Sequence, residues 1–472
     1  MPPPLAFALT IAFIVFLLWW EHRKGQRVSS ALWLPVIWIL IIGSRFVSQW
    51  LELFGTGSGG VSASSLEEGS SIDAIIFGGL IVIGLFVLRK RRIQVAAVIR
   101  NNQWLTIFLL YCLVSVLWSD FPFVATKRWV KVLGHPIMAL IVLTELNRVE
   151  ALSAFMKRVA FVAIPVSILF IKYYPEYGRG YDDWTGRVIF TGIARDKNAL
   201  GYFCMSTGFF WVWNFLRFWR GKDTRTGRQE LLLCGAFLGM TLWLLAIVDA
   251  KTALVTFLLS SAVAVLLGTR LVVKKYIGLY VLAAVVIALA ADMTFGAYSQ
   301  AISALGRNAT LTDRTKVWAE VLRMDDSPIL GTGFESFWLG DRLNHLWSEW
   351  WWHPNQAHNG YIETYLNLGI VGLILLAGVI FATFRKVRRE LLQNLDLGRF
   401  RFSLFIAILV FNYTDAVFKA LHPLWFLFYI IAMDYPEWRR RVGNQSWRGT
   451  IGLVRTRASV LRRPALTELA RS

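Results

Sequence analysis

The sequence predicts an all-α, polytopic integral membrane protein of about 12 to 13 transmembrane helices, with one long external loop carrying short helices. Three observations predict it. Hydrophobic residues make up 56% of the 472 and charged residues 17%, with a mean hydropathy of +0.51, where a soluble chain holds about 45–50% and about 25%. Apolar runs of roughly 17–25 residues recur along the chain. The basic residues, 50 Lys+Arg against 30 Asp+Glu for a net charge of +20, fall mostly in alternate loops between those runs.

The first run, 5–20, is followed at once by Glu21, His22, Arg23 and Lys24 with no small-residue cleavage site, and is expected to be a retained signal anchor. Further runs lie at 32–53, 73–88, 104–119, 130–146, 158–174, 198–217, 231–248, 252–268, 276–294 and 361–384. The last two, 402–418 and 422–434, are parted by Asp415, Lys419, His422 and Pro423, so this stretch reads equally as a broken hairpin. About two thirds of the Lys and Arg fall on one side, in loops such as Arg89–Arg92, Arg217–Arg228 and Arg385–Arg389 and in the tail from Arg439. By the positive-inside rule that side is cytoplasmic, the N-terminus is outside and the C-terminus inside. The excess charge is therefore topological, and a nucleic-acid partner is not expected. Cys112, Cys204 and Cys234 all lie within apolar runs, which argues against a disulfide framework or a Cys metal site. The expected organisation is membrane helices over 1–294 with an external loop at 175–197, an external loop or lid at 295–360, membrane helices over 361–434 and a basic tail at 435–472.

Polar chemistry is concentrated in three external loops. The first, PEYGRGYDDWTGRVIFTGIARDK, holds Asp182, Asp183, Arg187, Arg195 and Lys197. The second is the turn VDAKT around Lys251. The third, 295–360, exceeds the roughly 12–15 residues a structureless loop normally reaches. Within it Thr310 and Asp313 resemble a capping box, and Val317, Trp318, Val321 and Leu322 form a stripe at helical spacing. Arg314 then falls in the first turn of that helix. Gly331 and Gly333 make a turn, and Trp347, Trp350, Trp351 and Trp352 suit a membrane-interface belt. Five of the six His, namely His135, His345, His353, His358 and His422, fall on or near the outer side.

The long loop ends at HNGYIETYLNLGIVG, in which His358 and Asn359 precede Gly369 and Gly372 by nine residues and a further three positions. The Gly pair is expected to let another helix approach. This pattern resembles the signature of the O-antigen ligase and O-antigen polymerase superfamily of bacterial envelope glycosyltransferases. TDRTKVW with SPILGTGFESF, TGRVIFTGIARDKNALG and WSDFP resemble further segments of that family, so the likeness runs in order from about residue 115 to 375. The KNALG form and the Lys251 turn look most like exopolysaccharide polymerases of the rhizobial type.

The resemblance implies an enzyme of the bacterial inner membrane, with its site facing the periplasm, that transfers a glycan from an undecaprenyl-diphosphate-linked donor. Diphosphate is a good leaving group, so the residues that matter are fixed cations where its charge develops. Arg187 and Arg314 are expected to fork onto phosphate oxygens, with Lys251, Arg195 or Lys197 as a third cation. His358 is the expected base for the acceptor hydroxyl. Asn198, Asn359 and Glu363 complete the expected substrate-binding set, and Glu335 and Glu363 are alternative bases. Single displacement at the anomeric carbon implies inversion, without metal or cofactor. A metal reading places His345, Glu349 and His353 on one helical face. The acceptor is another lipid-linked glycan, making the chain a repeat-unit polymerase, or lipid A core, making it a ligase; membrane lipids and a chain-length regulator are further partners. The non-enzymatic alternative is a flippase or exporter of lipid-linked polysaccharide, for which Arg45 is the main deep cation.

Overall fold

In the computed structural model the described residues are 1–24, 28–55, 69–182, 185–295, 300, 314–324 and 327–435. The chain is a bundle of helices with one two-stranded hairpin. In order these are α1 (Pro3–Arg23), α2 (Trp33–Gly43), α3 (Val47–Phe54), α4 (Ser71–Lys90), α5 (Val95–Asn101), α6 (Gln103–Val114), α7 (Pro122–Val132), α8 (Gly134–Leu143) and α9 (Arg148–Tyr173). A single turn, α10 (Pro175–Gly178), leads into β1 (Arg179–Tyr181) and β2 (Val188–Phe190), which pair antiparallel with Gly180 opposite Ile189. There follow α11 (Lys197–Phe218), α12 (Arg225–Val248), α13 (Lys251–Leu267), α14 (Ile277–Phe295), α15 (Arg314–Arg323), α16 (Gly340–Glu349), α17 (Gly360–Gln393), α18 (Leu395–Thr414) and α19 (Pro423–Ala432).

The chain is a polytopic membrane protein. Six helices among the described residues are long and apolar enough to cross a bilayer, or eight if the bent pairs Ser30–Phe54 and Val95–Trp118 each count as one span. Each of the thirteen apolar runs of the sequence falls on a helix, but the count of candidate spans is lower. The run at 130–146 folds as α8 alone with α7 before it, α13 and α19 are short, and α18 carries Asp396, Arg399 and Arg401 in its first turns. An apolar run becomes a candidate span only where its helix is long, apolar and nearly free of charge, and the shorter or more polar helices here fall below that.

Side-chain caps start several of the helices. Asn147 accepts from Val149 N and Glu150 N, Asp196 from Ala199 N, and Asn359 from Tyr361 N and Ile362 N, each satisfying donors that a helix start leaves open. α11 packs on α12 and α13, α18 on α13 and α17, and α19 on α8. The core between them includes Phe209, Phe210, Trp211, Phe237, Phe405, Phe426 and Tyr429.

Several residues that the sequence puts in loops or at the surface are internal. Lys157 lies mid-helix in α9, buried, with Nζ 2.8 Å from both Glu230 oxygens, and Lys24 Nζ is 2.8 Å from the same carboxylate. His135 is buried in α8, accepting from Trp38 Nε1 at 3.1 Å and stacking on Phe426. Of the tryptophan run, Trp347, Trp350 and Trp352 pack against Val317, Val321, Leu343 and Leu346, and of the four only Trp351 is exposed. Leu322, expected on the apolar stripe of α15, is exposed while Val317 and Val321 are buried. The Thr310 and Asp313 capping pair, Asp183 and the tail from Arg439 lie outside the described residues.

The Gly pair of α17 has a different use from the expected helix contact. At Gly369 the helix is interrupted, with φ 63° and ψ −165°. Into that gap fits the Pro328–Gly333 turn: Ile370 N donates to Pro328 O at 2.9 Å, Val371 N to Ile329 O at 3.2 Å, Thr332 N to Leu366 O at 3.1 Å and Gly333 N to Asn367 O at 2.9 Å. A Cβ on Gly369 would lie 2.2 Å from Ile329 O, and one on Gly331, itself at φ 71°, 2.4 Å from the Asn367 carbonyl carbon. Positive φ and backbone-on-backbone contact are what glycine alone permits. Two separate segments are thus stitched together about two to three and a half turns below His358.

Candidate functional site

His358 stands one residue before the Asn359 cap of α17, at φ 50°, and its side chain is 20% exposed. A left-handed backbone at a bulky residue is uncommon and marks a position held by its surroundings. Here Ala357 is held on both sides: its N donates to Glu363 at 2.9 Å and its O accepts from Trp318 Nε1 at 2.6 Å. The imidazole faces Asp415, with Nδ1 3.4 Å from Oδ1 and the Gln356 amide 3.3 Å from the same nitrogen. A proton on Nδ1 directed at a carboxylate leaves Nε2 as the basic atom.

Asp415 follows the last residue of α18 and is buried. It accepts a hydrogen bond from Tyr202 Oη on Oδ2 and from Ala416 N on Oδ1 at 2.9 Å. Arg314, at the start of α15, donates from Nη1 to the carbonyl of Thr414, the residue next to Asp415. Lys419 reaches Asn355 O at 3.4 Å. Around these groups electrostatics has a clear direction. Burial pushes His358 below the ordinary imidazole range; the hydrogen bond to Asp415 opposes this, and Arg314 and Lys419 add to the lowering. Burial alone would raise Asp415, but the hydrogen bond from His358, with Arg314 close by, holds it below the usual carboxylate range. His422, whose ring centroid is 4.6 Å from that of Tyr202, is brought down to about 4 by burial and is neutral at pH 7. The arrangement is a neutral imidazole aligned by an ionised carboxylate, with fixed cations alongside. It can take a proton from a hydroxyl and stabilise a developing anion.

The other expected site residues are dispersed. Arg187 is exposed just before β2, and among the described residues no contact joins it to His358 or Arg314. Arg195 has a side chain 62% exposed with Nε 3.5 Å from Asp196, and it acts through space on Tyr202 and His422. Lys197 pairs with Asp182 at 2.6 Å, and Lys251 with Asp249 at 2.6 Å. Asn198 is half-buried in the first turn of α11 and Asn359 is the α17 cap. Glu363 is buried and accepts from Trp338 Nε1 at 3.0 Å as well as from Ala357 N. Glu335, at φ 54°, accepts from Ala420 N at 2.6 Å. Both carboxylates line a small cavity of about 20 Å³ with Lys419, Asn367 and Tyr429, room for about one water.

Among the described residues one group has metal-ligand geometry, Glu320, His345 and Glu349, with ligand atoms within 4.8 Å of one another. It differs from the sequence grouping, because α16 ends at Glu349 and His353 turns away at φ 49° to stack on Trp347. The group is largely exposed and shares no residue with the His358 cluster. Of the residues the sequence did not assign, Asp415, Lys419 and His422 carried a signal, since they interrupt an apolar run. Tyr202 carried none.

The family comparison reaches part of this site. The O-antigen ligase family model matches residues 233–377, which include Lys251, Arg314, His358 and Gly369. The exopolysaccharide production protein ExoQ of Rhizobium meliloti (strain 1021) is 25% identical over 318 residues, covering 62% of this chain and 67% of that protein. The chain is accordingly a multi-pass membrane protein that matches the O-antigen ligase family model across 233–377 and is similar to the rhizobial exopolysaccharide production protein.

Proposed function

We propose that the chain is an inverting glycosyltransferase that needs no metal, moving a glycan from an undecaprenyl-diphosphate-linked donor to an acceptor glycan at the periplasmic face, and that it polymerises exopolysaccharide or O-antigen repeat units. The family and the homologue support the coarser statement, a membrane protein of envelope glycan assembly whose substrates are lipid-linked glycans. The observation that supports the finer one is the His358–Asp415 pair, 3.4 Å apart, with Arg314 bonded to the neighbouring residue.

The acceptor hydroxyl gives its proton to His358 Nε2 as its oxygen attacks the anomeric carbon, and the bond to diphosphate breaks on the opposite face. Asp415 orients the ring and stabilises the imidazolium that forms. Arg314, with Lys419, balances the negative charge on the leaving diphosphate.

The test is a reconstituted assay with purified protein and a lipid-diphosphate oligosaccharide donor, comparing wild type with His358→Ala and Arg314→Ala. The expected result is lengthening of lipid-linked glycan by wild type, reduced about 10²–10⁴-fold without the base and about 10²–10³-fold without the guanidinium. Product only on addition of lipid A core would assign a ligase. Movement of labelled donor between leaflets with no new glycosidic bond would replace the enzyme by a transporter, and a retained anomeric configuration would overturn single displacement.

A further inference from the structure

α2 ends at Gly43 and α3 resumes at Val47 with its axis turned by 60°. Arg45 sits in this break. Non-helical backbone at membrane depth persists where it is packed in protein or lines a polar site, and an ionisable side chain there is a functional candidate by default. The guanidinium is only partly satisfied. Nη2 is 3.5 Å from Thr191 Oγ1, at the limit of a hydrogen bond, and the group lies 5.1 Å from the Trp50 ring centroid. Nη1 is buried with no protein acceptor. Asp196 is near enough to attract it through space, but that carboxylate already caps Ala199 N at 2.9 Å and lies 3.5 Å from Arg195 Nε.

The surroundings connect Arg45 to the His358 cluster. Thr191 and Asp196 belong to the loop that opens α11, and Tyr202 in the second turn of α11 donates to Asp415. α2 touches the same turn: a Cβ on Gly43 would come 2.5 Å from the Phe203 ring. Arg45 and the Asp415–His358 pair thus border the same two turns of one helix. Lys197 and Lys251, the cations that the sequence favoured here, are bound to Asp182 and Asp249. A guanidinium is always charged and presents a planar fork matched to phosphate oxygens.

We propose that Arg45 binds a phosphate oxygen of the lipid-linked donor, acting with Arg314 as a second fixed guanidinium for the diphosphate. This rests on the glycosyl-transfer reading for the identity of the donor. The same chemistry would suit a bilayer phospholipid headgroup, so the experiment separates the two. Full-length wild type, Arg45→Lys and Arg45→Gln are placed in phosphatidylcholine nanodiscs with and without phosphatidylglycerol, binding of labelled undecaprenyl diphosphate is measured, and thermal unfolding of each variant is recorded. The expected result is affinity about 10- to 100-fold weaker for Arg45→Gln, partial recovery in Arg45→Lys, and no dependence on phosphatidylglycerol. In the transfer assay the donor KM rises while the rate at saturating donor changes less. Wild-type affinity in Arg45→Gln, or in Arg45→Lys where the glutamine variant does not fold, overturns the proposal, as does loss of phosphatidylglycerol association alone. If wild type transfers glycan and Arg45 variants bind donor normally, only this inference fails; if wild type does not bind undecaprenyl diphosphate at all, the functional reading fails with it.

Discussion

Replacing Asp415 by Asn removes one charge and trades the Oδ2 that accepts from Tyr202 Oη for an amide nitrogen. The Asn oxygen can still accept from Ala416 N, now 2.9 Å from Asp415 Oδ1, so the chain after α18 keeps its shape. His358 loses a carboxylate whose oxygen is 3.4 Å from its Nδ1. At that separation and an effective dielectric of about 20, the attraction to an imidazolium is about 5 kcal/mol. That equals a factor of about 10³–10⁴ in the protonation equilibrium. With the proton about half transferred in the transition state, the rate at the plateau is expected to fall about 10²-fold. The pH profile supplies the sign. Asp415 raises the His358 pKa and burial lowers it, with burial dominant, so the neutral base is present at neutral pH and activity is lost as pH falls through that lowered value. Without Asp415 protonation becomes harder still, and the acid limb moves to lower pH. The assay is glycan transfer at saturating donor across pH 4 to 8, a window of about two units either side of the reference imidazole region. A plateau equal to wild type, or an acid limb displaced upward, would refute the coupling.

Three other outcomes are expected. Gly369→Ala places a Cβ 2.2 Å from Ile329 O at φ 63°, so the solubilised protein should unfold at lower temperature, by at least the roughly 1–3 kcal/mol of backbone strain; an unchanged midpoint would show that the Pro328–Gly333 turn does not fill the α17 break. Glu230→Gln leaves Lys157 and Lys24 facing a neutral amide at a site where their ammonium groups are 2.8 Å away, and should cost about 3–5 kcal/mol of stability with no change in donor KM, measured by denaturant unfolding and the transfer assay. Exhaustive chelation, and Glu320→Gln with His345→Ala, should leave transfer at the wild-type rate; a loss restored by a divalent cation would require metal in the mechanism.

The class of protein was legible because hydropathy is a sum over neighbours along the chain, and each of the thirteen apolar runs does fall on a helix. The number of spans was not, since an apolar run does not fix the length of its helix: α8 and α19 have ten residues each. His358 stood out through its spacing to Gly369, and Arg314 through its helix-start position. The reason for Gly369 was hidden: the spacing pointed to helix packing, while the residue accommodates a turn that hydrogen-bonds into a broken helix. Arg187 looked equivalent to Arg314 as a loop cation, yet Arg314 alone of the two bonds beside Asp415.

By itself the sequence determined that this is a multi-pass membrane protein with its polar chemistry in a few loops, because 56% apolar residues in long runs have no other stable solvent. It also marked a His, an Arg and a Gly pair whose spacing matches a family. Only the tertiary structure decided what His358 works against. Asp415 comes from the end of α18, Tyr202 from the second turn of α11 and Arg314 from the start of α15, and nothing in the local sequence of any one specifies the others. Contacts between distant segments are set by how the helices pack, and a hydrogen bond a few ångströms long exists only after that packing has been chosen.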